Sequence, residues 1–130
     1  MSRFDLTISP RTYETDAWGH INNNSICAWF EVARTTYIKD VLSDGKIDAP
    51  NSWVLATMSV DFLRETFYGS DVEVSLTRAE VGNTSLTLEC AMHQNEQQTV
   101  RCSAVLVYID RETKQSRRIP DAMRALVQIT

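Results

Sequence analysis

A chain of 130 residues with 43% hydrophobic and 23% charged side chains has ordinary globular usage. It is long enough to bury one core without disulfide or metal staples and too apolar to stay disordered. Seventeen acids against thirteen bases leave a formal charge of −4, which argues against a nucleic-acid binder. The longest apolar run, Ala104 to Ile109, falls far short of the ~20 residues of a membrane helix. Three cysteines without C-x-x-C spacing (Cys27, Cys90, Cys102) and two distant histidines (His20, His93) disfavour a disulfide framework and a metal site. Met1 to Asp5 hold no apolar leader segment, so a cytoplasmic location and a single domain over residues 1–130 are expected.

In chain order, Phe4 to Thr12 alternates Phe4, Leu6 and Ile8 with Asp5, Thr7 and Ser9, the period of a half-buried strand. A polar stretch from Glu14 to Asn24 follows. Then Ile26, Trp29/Phe30, Ala33, Tyr37 and Val41 recur at helical spacing. This predicts a helix from about Asn24 to Val41 or Leu42, capped by Asn23 or Asn24 and ending before Ser43-Asp44-Gly45. Glu31 and Arg34 are spaced for an i,i+3 ion pair. Trp29, Phe30 and Tyr37 read as core rather than as pocket lining.

From Ser52 the period falls to two. Val54, Ala56, Met58, Val60 and Phe62 form one apolar face. Val72, Val74 and Leu76 make the next strand, and Leu86, Leu88, Cys90 and Met92 another. Between these two, Gly82-Asn83 suits a type II′ hairpin turn. Asn95 to Gln98 is a further turn, and Thr99 to Ile109 the last strand, apolar on both faces in its second half and so expected to be covered on both sides. Pro120-Asp121 opens a short helical tail over Ala122 to Val127. The order β–α–β–β–β–β predicts an α+β arrangement, one long helix on an antiparallel sheet.

The chemistry concentrates in Tyr13-Glu14-Thr15-Asp16-Ala17-Trp18-Gly19-His20-Ile21-Asn22-Asn23-Asn24. A carboxylate, an imidazole and several amides precede a helix start, where free N–H groups and about half a positive charge can polarise a carbonyl. A carboxylate there can attack or act as a base; the plain alternative is a loop aspartate bonding nearby backbone. His20 has the same two readings, function or turn fixation. Cys27 near the helix start could pair with His20 as a nucleophile, but beside the apolar stripe it reads as a small buried residue.

Thr15-Asp16-x-x-Gly19-His20-Ile21-Asn22-Asn23, followed by Trp29-Phe30-Glu31 and Arg34, resembles the signature of hotdog-fold acyl-CoA thioesterases, nearest the 4-hydroxybenzoyl-CoA thioesterase-like branch. The likeness continues through Asp61-Phe62-Leu63-Arg64, Tyr68-Gly69, Val105 to Asp110 and Ile119-Pro120. It implies a long helix wrapped by a five-stranded antiparallel sheet. It also implies subunits joined edge to edge into a homodimer or homotetramer, with the active site at the subunit interface. Asp16 falls on the catalytic position, as nucleophile or general base. Backbone N–H groups near Asn23 would hold the thioester oxygen, and His20 would position. No cofactor or metal is implied; coenzyme A enters as part of the substrate. Ile26 stands where the family often has Tyr and alters the acyl pocket wall. Glu65 replaces a frequent Pro, and Gly69-Ser70 a frequent Gly-Asp.

Trp18 in the loop is a candidate contact for substrate or partner subunit. Arg111, Lys114, Arg117 and Arg118 form a basic cluster suited to the phosphates of coenzyme A, with the solvated connection as the plain reading; Arg64 is a second candidate. The expected activity is hydrolysis of an acyl-CoA to a carboxylic acid and free coenzyme A. A non-catalytic hotdog module binding acyl-CoA or acyl carrier protein is the alternative. Hydration or dehydration of an acyl thioester ranks lower, because the one motif histidine sits with the thioesterase-like aspartate.

Overall fold

A computed structural model describes residues 4–42 and 52–128. Its elements are β1 (Asp5–Ile8), α1 (Asn23–Tyr37), β2 (Trp53–Phe62), β3 (Val72–Val81), β4 (Ser85–Gln94), β5 (Gln97–Tyr108) and α2 (Asp121–Gln128). The five strands form one antiparallel sheet in the order β1-β3-β4-β5-β2. This is the hotdog arrangement. The amphipathic α1 buries Ile26, Trp29, Phe30, Ala33 and Tyr37 in a core shared with Val72, Val74, Leu76, Leu86, Leu88, Met92, Val100 and Ala104. Among the described residues no helix is long and apolar enough to cross a membrane.

Several local expectations are corrected. The first strand ends at Ile8 rather than Thr12; Pro10 has no N–H for a ladder, and Thr12–Glu14 coils into a 3-10 turn. The cap of α1 is Asn22, not Asn23 or Asn24: its Oδ1 accepts the Ser25 N–H at 2.8 Å. Three consecutive asparagines can all cap, and long-range bonds decide between them. Ile21 N–H donates to Thr66 O (2.7 Å) and Asn22 N–H to Glu14 O (2.9 Å), which hold the chain extended up to Asn22. The helix continues to Leu42, with Ile38–Leu42 wound as a π turn; the stop at Ser43-Asp44-Gly45 lies outside the described residues. Glu31 and Arg34 do not pair. Glu31 is exposed, whereas Arg34 is 6% exposed and directs Nη1 to Met58 Sδ at 3.6 Å.

Strand β2 does not present one unbroken apolar face. A bulge between Leu55 and Thr57 inserts a residue and exchanges the two faces. Trp53 and Leu55, paired with buried Tyr108 and Leu106, share a side with Met58 and Val60, while Val54 lies opposite half-buried Val107. The β3–β4 loop has three residues, Gly82 to Thr84, and Gly82 does not take the positive φ a type II′ turn requires. The β4–β5 turn is the tighter one: Asn95 and Glu96, at φ 52° and 65°, fit a type I′ turn. The second half of β5 is buried on one face only, since Val105 and Val107 remain half-exposed.

Candidate active site

The loop before α1 is built around Asp16. Its Oδ1 accepts the N–H groups of Trp18 (2.8 Å) and His20 (3.0 Å), and its own N–H donates to His20 O at 2.7 Å. The plain reading is therefore realised at one oxygen. Among the described residues Oδ2 accepts no hydrogen bond; His20 Nδ1 lies 3.8 Å from it, beyond hydrogen-bond range. Gly19 closes the turn at φ +82°, a region that L side chains adopt only under strain.

Two buried polar side chains fix this loop to the fold. Glu14, 7% exposed, accepts the Arg11 N–H at Oε1 and the Trp29 indole N–H at Oε2, both at 2.8 Å. It thereby clamps the loop base to α1. Gln94 at the end of β4 does the same for the facing segment, exchanging bonds with Phe67 N–H and O and donating to Ser70 O. The segments meet where His20 pairs with Phe67.

Between them lies a groove of about 440 Å³ lined by Asp16, His20, Asn23, Ile26, Phe62, Arg64, Glu65 and Thr66, among others. Asn23 and Asn24 open α1, where N–H groups have no intrahelical acceptor; Ser25 N–H is taken by the cap and Ile26 N–H by Asn22 O. The groove thus joins a carboxylate with an open oxygen, an imidazole, a helix N-terminus, a guanidinium and an apolar wall. That set can polarise a carbonyl and attack it, or deprotonate a water beside it.

Of the residues singled out in sequence, Asp16, His20, Asn23, Ile26 and Arg64 come together here. Trp18 is 81% exposed and stands outside the groove lining. Arg117 and Arg118 are not brought to it. Arg117 stacks 5.0 Å over the Tyr108 ring and Arg118 pairs with Asp121; this is the far end of β5 from Thr99, whose carbonyl accepts the Leu63 and Arg64 N–H groups beside the groove, about 30 Å away at strand rise. Cys27 is half-buried, within electrostatic reach of Cys102. Burial pushes the Cys90 thiol up to about 12 and raises that of Cys102, so neither offers a thiolate. No cluster able to hold a metal forms among the described residues.

Glu14, Glu65, Thr66 and Gln94 escaped sequence reasoning as site-builders. Gln94 did leave a signal, continuing the buried register of Leu88, Cys90 and Met92 as a polar residue where an apolar one was due. Glu14 left none, because its partner Trp29 lies fifteen residues on. Thr66 lines the groove with its hydroxyl buried and unpartnered. A second groove of about 470 Å³ lies on the outer sheet face, lined by Asp61, Glu89, His93 and Arg101 among others. Its charges are matched by Arg101–Asp61 and Arg78–Glu89 pairs.

The thioesterase-like superfamily model matches residues 10–127, and the chain belongs to that superfamily. It is similar to a predicted thioesterase of Bacillus stearothermophilus, at 34% identity and a TM-score of 0.89, covering 98% of this chain and 96% of that one. It is also similar to a thioesterase of Thermus thermophilus solved with coenzyme A and zinc, at 26% identity and a TM-score of 0.84 over 95% and 96% of the two chains. With the Bacillus subtilis protein YsmA it shares 32% identity over 83 residues, 62% of this chain and 54% of that protein. The match thus spans about half of that relative's length.

Proposed function

We propose that this member of the thioesterase-like superfamily, folded as one domain, hydrolyses an acyl-CoA to a carboxylic acid and free coenzyme A. One observation carries the reading: Asp16 keeps Oδ2 free of hydrogen bonds from the described residues, in the same groove that Asn23 lines at the start of α1. The thioester oxygen accepts N–H groups at the helix N-terminus, where the helix dipole stabilises the charge that develops as the carbonyl carbon becomes tetrahedral. Asp16 attacks that carbon, or takes a proton from the water that does. The C–S bond then breaks and the thiol leaves. Ile26 and Phe62 flank the acyl group, and Arg64 serves a phosphate of coenzyme A. A cytoplasmic location goes with that substrate.

The reading includes pairing with a second copy. Strand β2 is a ten-residue sheet edge carrying exposed Val54, Leu55 and Phe62, an edge of the kind proteins cover. Antiparallel pairing of β2 with itself about a two-fold axis sets the Trp53 end of one sheet beside the Phe62 end of the other. The basic residues near Tyr108, including Arg117 and Arg118, would then approach the second copy's groove.

Thiol release from short, medium, long and aromatic acyl-CoAs tests the activity. Turnover of one class is expected. Saturable binding without thiol release on any of them would overturn the reading in favour of a non-catalytic acyl-CoA or acyl-carrier module.

A further inference from the structure

Glu65 occupies a place the reaction itself does not require, and it reaches into the groove. Its Oε2 lies 2.9 Å from His20 Nε2, while His20 Nδ1 lies 3.8 Å from Asp16 Oδ2. The ring is also fixed by an edge contact with Phe67, centroids 5.0 Å apart. Charged groups lining the groove around it are Asp16, Arg64 and Glu65.

A carboxylate oxygen 2.9 Å from Nε2 would repel a lone pair there, so the contact favours the ring form that carries its hydrogen on Nε2. The neutral ring then turns the Nδ1 lone pair towards Asp16. We propose that Glu65 is a positioning residue that sets this tautomer, making His20 the acceptor for a proton arriving at Asp16; the proposal rests on the thioesterase reading with water as nucleophile.

Water adds to the thioester carbon and gives one proton to Asp16 Oδ2. The 3.8 Å gap closes to hydrogen-bond length once that proton lies between the two groups, and the proton passes to Nδ1. The resulting imidazolium stands between two carboxylates, Asp16 and Glu65. The tetrahedral intermediate expels thiolate, and the proton returns through Asp16 to the sulfur, leaving acid and thiol. With neutral Nδ1–H instead, the ring would donate to Asp16 and could not accept its proton.

The chain has only two histidines, and His93 lies on the outer sheet face, so nitrogen-resolved NMR of the imidazoles is readily assigned with His20→Gln. In the wild type, at a pH where the rings are neutral, the His20 hydrogen is expected on Nε2. In Glu65→Ala it moves to Nδ1, where Asp16 becomes the remaining carboxylate acceptor, and kcat falls about tenfold with KM unchanged. Glu65→Gln, whose amide oxygen also favours a hydrogen on Nε2, keeps the tautomer and recovers part of kcat. A wild-type hydrogen on Nδ1, or a Glu65→Ala protein with unchanged tautomer and kcat, would overturn the proposal. Should the wild type release no thiol from any acyl-CoA, the tautomer measurement still decides the positioning role, and the failure belongs to the thioesterase reading.

Discussion

The two halves of this molecule are held by different forces. Strands β3, β4 and β5 with α1 are held by apolar burial: Phe30, Leu86, Leu88, Met92 and Val100 are almost completely enclosed. The Asp16 loop and the segment from Glu65 to Ser70 bury little apolar surface beyond Ile21. They are held by directed bonds to Glu14, Gln94 and Thr66 O. A core residue should therefore decide whether the chain folds, and a loop pin whether the folded chain works.

The largest effect is expected in the core. Phe30→Ala should cost ~3–5 kcal/mol by urea unfolding, while the molecules that remain folded keep most of their activity per site. Glu14→Ala leaves the Trp29 and Arg11 N–H donors without their acceptor. It should cost ~1–3 kcal/mol, and kcat/KM should fall by about tenfold or more because the Asp16 loop loses its base. An activity loss no larger than that of Phe30→Ala would erase the distinction between the two regions. Gly19→Ala meets no neighbour, since nothing lies within 4 Å of the added Cβ, but its φ of +82° is strained for alanine and should cost ~1–2 kcal/mol. Arg101→Ala breaks an exposed pair with Asp61 and should move stability by no more than ~1 kcal/mol.

The same contrast has a pH signature. Burial raises Cys90 to about 12, above its value in an unfolded chain. The folded state therefore favours the neutral thiol. That contribution is intact below the ordinary thiol range and is lost as pH climbs from there towards 12. At neutral pH a thiol-reactive dye should label Cys27 in the folded protein and reach Cys90 and Cys102 only on unfolding; rapid labelling of all three would contradict their burial.

Hydrophobic periodicity made the sheet and long helix legible, because Val72 to Leu76 and Leu86 to Met92 alternate cleanly and Ile26 to Tyr37 repeat at helical spacing. Bulges were not legible. The extra residue in β2 leaves no local mark, yet it turns Val54 to the opposite face. The site motif itself stood out as a resemblance, and Asp16, His20 and Asn23 meet in space. What the sequence hid were contacts between distant segments: Glu14 with Trp29, Gln94 with the Phe67 loop, and Glu65 with His20. The choice of Asn22 as cap was hidden for the same reason, being decided by backbone bonds to Glu14 and Thr66.

Asp16 carries two roles within the loop region: Oδ1 pins the loop, and Oδ2 does the chemistry in the proposed reaction. Asp16→Asn separates them, because its amide oxygen still accepts from Trp18 and His20 N–H while the charge is gone. The decisive measurement is kcat/KM for acyl-CoA hydrolysis alongside thermal unfolding of wild type and Asp16→Asn, with a mass check against deamidation. A loss of at least ~100-fold, about 2.7 kcal/mol of barrier, is predicted at an unchanged Tm. Wild-type activity in the Asn protein would show that Asp16 only holds the loop and that the reacting group lies elsewhere.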